Sequence, residues 1–118
     1  MTRQLIAILL GVATVSGAYA QTNIPPFVAK LIARYESGPL GSSPGAVWQY
    51  RYKGETVYYI PRLACCDIMS QLYDAHGKLI CRPDGGVAGG GDGKCPLFFK
   101  ERKDGRQLWR DPRREEIH

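Results

Sequence analysis

Four cysteines, Cys65, Cys66, Cys81 and Cys95, constrain this 118-residue chain more than any other feature. What they can do depends on the compartment, and the N-terminus bears on that. Met1–Gln4 carries one positive charge, Arg3. Leu5–Val15 is apolar apart from Gly11 and Thr14, and Ala18 and Ala20 then form an A-x-A site. These are the three regions of a secretory signal, so residues 1–20 are expected to be removed. The apolar run is shorter than the roughly 20 residues that span a bilayer. No cysteine near the cleavage point could accept a lipid. The mature chain is therefore expected to be periplasmic or secreted, monomeric and without a membrane anchor.

In an oxidising compartment an even cysteine count reads as two disulfides. A bond between the neighbours Cys65 and Cys66 needs a strained ring. That leaves Cys65–Cys81 with Cys66–Cys95, or Cys65–Cys95 with Cys66–Cys81. Neighbours on an extended segment point to opposite sides, so each would staple a different element. Each closed loop contributes about 3 kcal/mol in the chain-entropy model. Zinc sites and catalytic dithiols usually carry C-x-x-C units, and this spacing has none.

Hydrophobic periodicity predicts an α+β fold: one N-terminal amphipathic helix packed on a small antiparallel sheet of hairpins. Ile24-Pro25-Pro26 opens the helix, with proline tolerated in its first turn. Phe27, Val28, Leu31, Ile32 and Tyr35 fall on one face, and Gly38-Pro39 ends it. Val47–Tyr52 and Thr56–Pro61 flank a turn at Lys53-Gly54-Glu55 and read as a hairpin. Gln71–Tyr73 and Lys78–Arg82 flank Asp74-Ala75-His76-Gly77 and read as a second. Pro96–Lys103 reads as a short helix and Arg106–Arg110 as a last strand. The organisation is thus a signal peptide at 1–20, a helix and linker at 21–46, a disulfide-stapled β-rich domain at 47–111 and a flexible tail at 112–118. Trp48, Tyr50, Tyr52, Tyr58 and Tyr59 read as cross-strand pairs and core beneath the helix rather than a stacking platform, although five aromatics on two strands cannot all face one way and one or two are expected to stay exposed.

Loss of the signal leaves 15 basic against 11 acidic residues. Eight basic residues lie from Lys94 onward against five acids, which reads as a solvated basic surface. No contiguous basic run beyond Arg113-Arg114 points to nucleic acid. Of the two histidines, His118 is terminal and His76 sits in a turn. With the cysteines oxidised, no nucleophile and base pair up, and an enzyme is not expected.

The segment Pro83–Cys95 contains six glycines and two carboxylates, Asp84 and Asp92. Ordering so many glycines costs conformational entropy, which a disulfide at Cys95 would partly offset. A binding loop of Asp84, Gly85, Gly86, Gly89, Gly90, Gly91 and Asp92 is the first functional reading. The chain would then be a small exported binding module, inhibitor-like in form, for an unknown protein or envelope component. The alternative is a calcium site at Asp84 and Asp92, although the spacing matches neither an EF-hand nor the glycine-rich calcium repeat. No other cofactor is expected.

Tyr58-Tyr59-Ile60-Pro61, Cys65-Cys66-Asp67, Leu72-Tyr73-Asp74, Ile80-Cys81, Pro83-Asp84-Gly85-Gly86, Gly91-Asp92-Gly93-Lys94-Cys95-Pro96 and Leu108-Trp109-Arg110-Asp111 stand in one order. Over Val47–Arg113 the chain resembles an uncharacterised family of small exported bacterial proteins, a domain of unknown function with many lipoprotein-like members. The resemblance implies export and a cysteine-stapled fold. It brings no activity or catalytic residue, and the missing lipid-accepting cysteine keeps the anchor from carrying over.

Overall fold

Val57, Tyr58, Tyr59 and Ile60 are four consecutive buried residues. Successive side chains of a strand point to opposite sides, so this run demands a strand covered on both faces. The computed structural model describes residues 23–61 and 68–116. In it the run lies in β2 (Glu55–Ile60), the central strand of a five-stranded sheet. The others are β1 (Ala46–Tyr52), β3 (Gln71–Tyr73), β4 (Leu79–Cys81) and β5 (Lys103–Arg110). The order is β4-β3-β2-β1-β5, with every pairing antiparallel. The protein is α+β, as its periodicity implies. The expected signal at 1–20 lies outside the described residues.

The first face is covered by α1 (Pro26–Ser37). Pro25 caps it in extended conformation, and Gly38 ends it by donating its N–H to Tyr35 O. Its apolar stripe is the expected one: Phe27, Val28, Leu31, Ile32 and Tyr35 pack on Val47, Tyr58, Ile60, Tyr73, Leu108 and Trp109. Phe27 meets Tyr58 edge-on at 5.6 Å, and Tyr35 stacks on Trp109 at 5.9 Å.

The second face corrects two expectations. Of the hairpin aromatics only Tyr58 lies under α1. Trp48, Tyr50, Tyr52 and Tyr59 point the other way, with Val57, Leu72, Cys81, Cys95 and Phe98. Both parities of β2 are apolar, so alternation sends half its aromatics away from the helix. The cover here is α2 (Phe98–Glu101), a single turn whose Phe98 is fully buried among the rings of Tyr50, Tyr52 and Tyr59.

Both expected disulfide pairings are also overturned, because Cys81 bonds to Cys95. Cys81 stands opposite Leu72 on the second face. Phe98, three residues beyond Cys95, is seated on that same face, which returns Cys95 to within 6.1 Å of Cys81 between Cα atoms. The expected partners Cys65 and Cys66 lie outside the described residues.

The expected tail at 112–118 begins instead as a 3-10 helix, Pro112–Glu116. Asp111 is fully buried and takes Arg113 Nε at 3.0 Å and Nη2 at 2.8 Å. Arg113 also donates to Gly38 O at 2.8 Å and Tyr35 O at 2.9 Å. Its guanidinium therefore satisfies carbonyls at the C-terminus of α1, where a cation is favoured. Arg113 holds the Asp111 carboxyl well below the usual range, with the Ser43 hydroxyl assisting. The unfolded chain therefore takes up this proton first, and the stabilisation present at neutral pH is lost as pH falls through the folded-state value. Asp111→Asn should lower Tm at pH 7. The gap to wild type should shrink as pH drops below about 4, the ordinary aspartate range. Thermal melts from pH 7 to pH 2 check this, and a constant gap would contradict it.

Candidate functional site

Residues 82–97 connect β4 to α2, and the order of 82–94 comes from the backbone. Asp92 N–H donates to Arg82 O at 2.9 Å and Gly91 N–H to Gly85 O at 3.0 Å. Gly85 N–H donates to Gly89 O at 3.1 Å and Gly89 N–H to Gly86 O at 3.2 Å. The loop is thus doubled back on itself above the Cys81–Cys95 bond. At Gly91 both conformation and space require glycine. Its φ is +71°, and a Cβ there would stand 2.0 Å from Arg82 O.

The two carboxylates of the sequence reading help to hold this loop. Asp92 accepts the N–H of Arg82 at 3.0 Å and of Lys94 at 2.9 Å. The Lys94 N–H first, and then that of Arg82, hold its carboxyl below the usual range. Asp84 Oδ1 accepts from Tyr59 Oη at 2.9 Å. Its main chain is clasped by buried Ser70: Ser70 N–H donates to Asp84 O at 2.9 Å, and Asp84 N–H donates to Ser70 Oγ at 3.0 Å. Burial, and next the Asp84 carboxylate, push the Tyr59 hydroxyl pKa up. Among the described residues no three His, Cys, Asp or Glu side chains gather around one point. Gly85, Gly86, Gly89, Gly90 and Gly91 all belong to the doubled-back segment. At its tip, between Gly86 and Gly89, Val87 is 88% exposed. His76 is exposed in the β3–β4 turn, where Asp74 Oδ1 accepts its N–H.

A second feature was not visible in the sequence. A groove of about 790 Å³ opens between the β1–β2 turn, α2 and the start of β5. Arg51 and Lys53 line one side, and Leu97, Lys100, Arg102 and Lys103 the other, with Glu101 as the only acid among the described residues that line it. Arg102 Nη1 donates to Tyr50 Oη at 3.2 Å, and its guanidinium lies 5.0 Å from the Tyr50 ring and 4.9 Å from that of Phe99. The clue was the cluster Lys100, Arg102 and Lys103, which sequence alone reads as a solvated face. Its partners Arg51 and Lys53 come from a hairpin some fifty residues earlier.

Compared with known families, residues 33–111 match one whose description is "Domain of unknown function (DUF6970)". No curated protein and no solved structure matches the chain.

Two glycine substitutions test the loop. Gly91→Ala meets a backbone carbonyl and should destabilise by about 2 kcal/mol or more. Gly90→Ala, with nothing within 4 Å of its Cβ, should stay within about 0.5 kcal/mol of wild type. Opening the Cys81–Cys95 bond in a double serine variant should cost about 3 kcal/mol. Urea unfolding of the variants measures all three values, and equal effects at positions 90 and 91 would show the loop to be slack.

Proposed function

The chain belongs to the DUF6970 family, and we propose that it is a small exported binding module that meets a protein partner through the glycine loop. One observation carries this reading: Val87, 88% exposed, stands at the apex of a turn held from below by a disulfide and from within by backbone hydrogen bonds. A branched apolar side chain so placed adds nothing to the core. It fits an apolar pocket on another surface, where its burial contributes about 1.5–3 kcal/mol. Pre-ordering spares the partner complex much of the entropy of fixing a flexible loop, which is how inhibitor-like loops reach useful affinity. The secretory pattern expected of residues 1–20 supports a partner in the envelope or outside the cell. The alternative, a calcium site at Asp84 and Asp92, is less favoured because both carboxylates already accept hydrogen bonds that hold the loop, from Tyr59 and from the Arg82 and Lys94 N–H groups.

A photo-reactive residue at position 87, introduced in the native host, should crosslink the exported protein to one discrete partner. Val87→Asp should abolish the non-covalent complex with that partner without lowering Tm. The same spread of products from position 87 as from Glu55, an exposed residue of the β1–β2 hairpin, would overturn the reading.

A further inference from the structure

We propose that the groove between the β1–β2 turn, α2 and β5 is a separate site for a linear polyanion bearing a phosphate on each repeat. This goes beyond the loop reading and does not depend on it. Among the described residues five cations, Arg51, Lys53, Lys100, Arg102 and Lys103, line about 790 Å³ against the single carboxylate of Glu101. Among the described residues none of the five is in an ion pair, whereas Arg113 is paired with Asp111. Arg51 donates to Gly54 O at 2.8 Å and Lys53 lies over the Tyr52 ring, contacts that leave their charges unneutralised. Like charges crowded without counter-charges oppose folding, and a bound polyanion would relieve that repulsion.

Two further observations mark the groove as built. Arg102 is held in place by the Tyr50 hydroxyl and by the Tyr50 and Phe99 rings, which positions its guanidinium before any ligand arrives. Lys53 is held at φ +53° in the two-residue β1–β2 turn, followed by Gly54 at +79°. Asn or Gly suits that position with less strain. The only other described non-glycine residue with positive φ is Asp104, which directly follows Lys103. Strained backbone kept at one place is a pointer to function there.

The ligand class follows from shape and chemistry. Five cations exceed the need of one tetrahedral anion. The guanidinium forks of Arg51 and Arg102 suit pairs of phosphate oxygens. A concave groove accepts a strand of polymer better than a flat bilayer. The Tyr50 ring is engaged by Arg102 and by Trp48, stacked at 6.0 Å, so it offers no open platform for a nucleobase.

The test is binding of the full mature chain to linear inorganic polyphosphate. Orthophosphate, single-stranded DNA and phosphatidylglycerol vesicles are compared at equal phosphate concentration. Polyphosphate should bind tightest, with an affinity that falls steeply with salt. The pair Lys100→Glu and Lys103→Glu should weaken it about tenfold or more and reduce the salt slope by about two. Lys30→Glu with Lys78→Glu makes the same change in net charge on exposed residues outside the groove, and should leave affinity within about twofold of wild type. Equal losses from the two pairs would show that net charge alone drives binding and would overturn the site. Tighter binding of DNA, vesicles or orthophosphate than of polyphosphate would overturn the ligand class. Lys53→Asn should raise Tm and weaken polyphosphate binding together. A gain in Tm with binding intact would break the link between strain and site.

Discussion

Burial of β2 on both faces is the constraint on which the rest depends. Val57 and Tyr59 look one way, Tyr58 and Ile60 the other, so a single helix could never complete this core. The first cover is conventional, twelve residues of α1 with one apolar stripe. The second has to come from the stretch between β4 and β5. That stretch holds only the single turn of α2 and carries six glycines ahead of Cys95. It succeeds with two anchors. Phe98 fills the space among Tyr50, Tyr52 and Tyr59, a burial that contributes about 1.5–3 kcal/mol. The Cys81–Cys95 bond reduces the entropy lost by the loop on folding.

Residues near the C-terminal end of the described part brace the first cover. Arg113 reaches from beyond β5 to the last carbonyls of α1 and is anchored by buried Asp111. Trp109 adds a hydrogen bond from its Nε1 to Glu36 at 2.9 Å. β5 is an edge strand, and its register against β1 is broken twice. Lys103, Arg106 and Arg110 along it are exposed. Irregular register and charge both discourage another strand from adding to that edge. The clamp at Asp111 therefore closes a strand that pairing alone holds on one side only.

The elements with a clean period were legible in the sequence: the α1 stripe, both hairpins and the short helix with its following strand. Their signals are local, with proline opening a helix, Lys-Gly and Asp-Ala-His-Gly at turns, and apolar residues at regular spacing. The second face was misread because Tyr58 and Tyr59 carry no label for which way each points once both sides are apolar. The disulfide was misread for a related reason. Adjacent Cys65 and Cys66 make Cys81 and Cys95 look like separate targets, whereas the seat of Phe98 brings those two together. The Asp111–Arg113 clamp left no sequence period, since it joins Arg113 to carbonyls that any residue would supply. The basic groove shares that difficulty, because its two walls are joined only by the fold.

The loop and the groove are mechanically linked through Cys95. Its carbonyl accepts the Phe98 N–H at 3.2 Å, so the residue that closes the loop also starts the turn of α2. Lys100 is in that turn and Arg102 directly follows it, donating its own N–H to Phe98 O at 2.9 Å. The disulfide thus sets the height of α2 over Tyr50 and Tyr52, and with it the position of the cations that face Arg51 and Lys53. A face covered by a long apolar helix would have had little backbone or charge to spare for recognition. Covering it with one aromatic anchor and one cross-link leaves the loop tip and the groove rim outside the core. Both can then vary in sequence without disturbing the burial of β2.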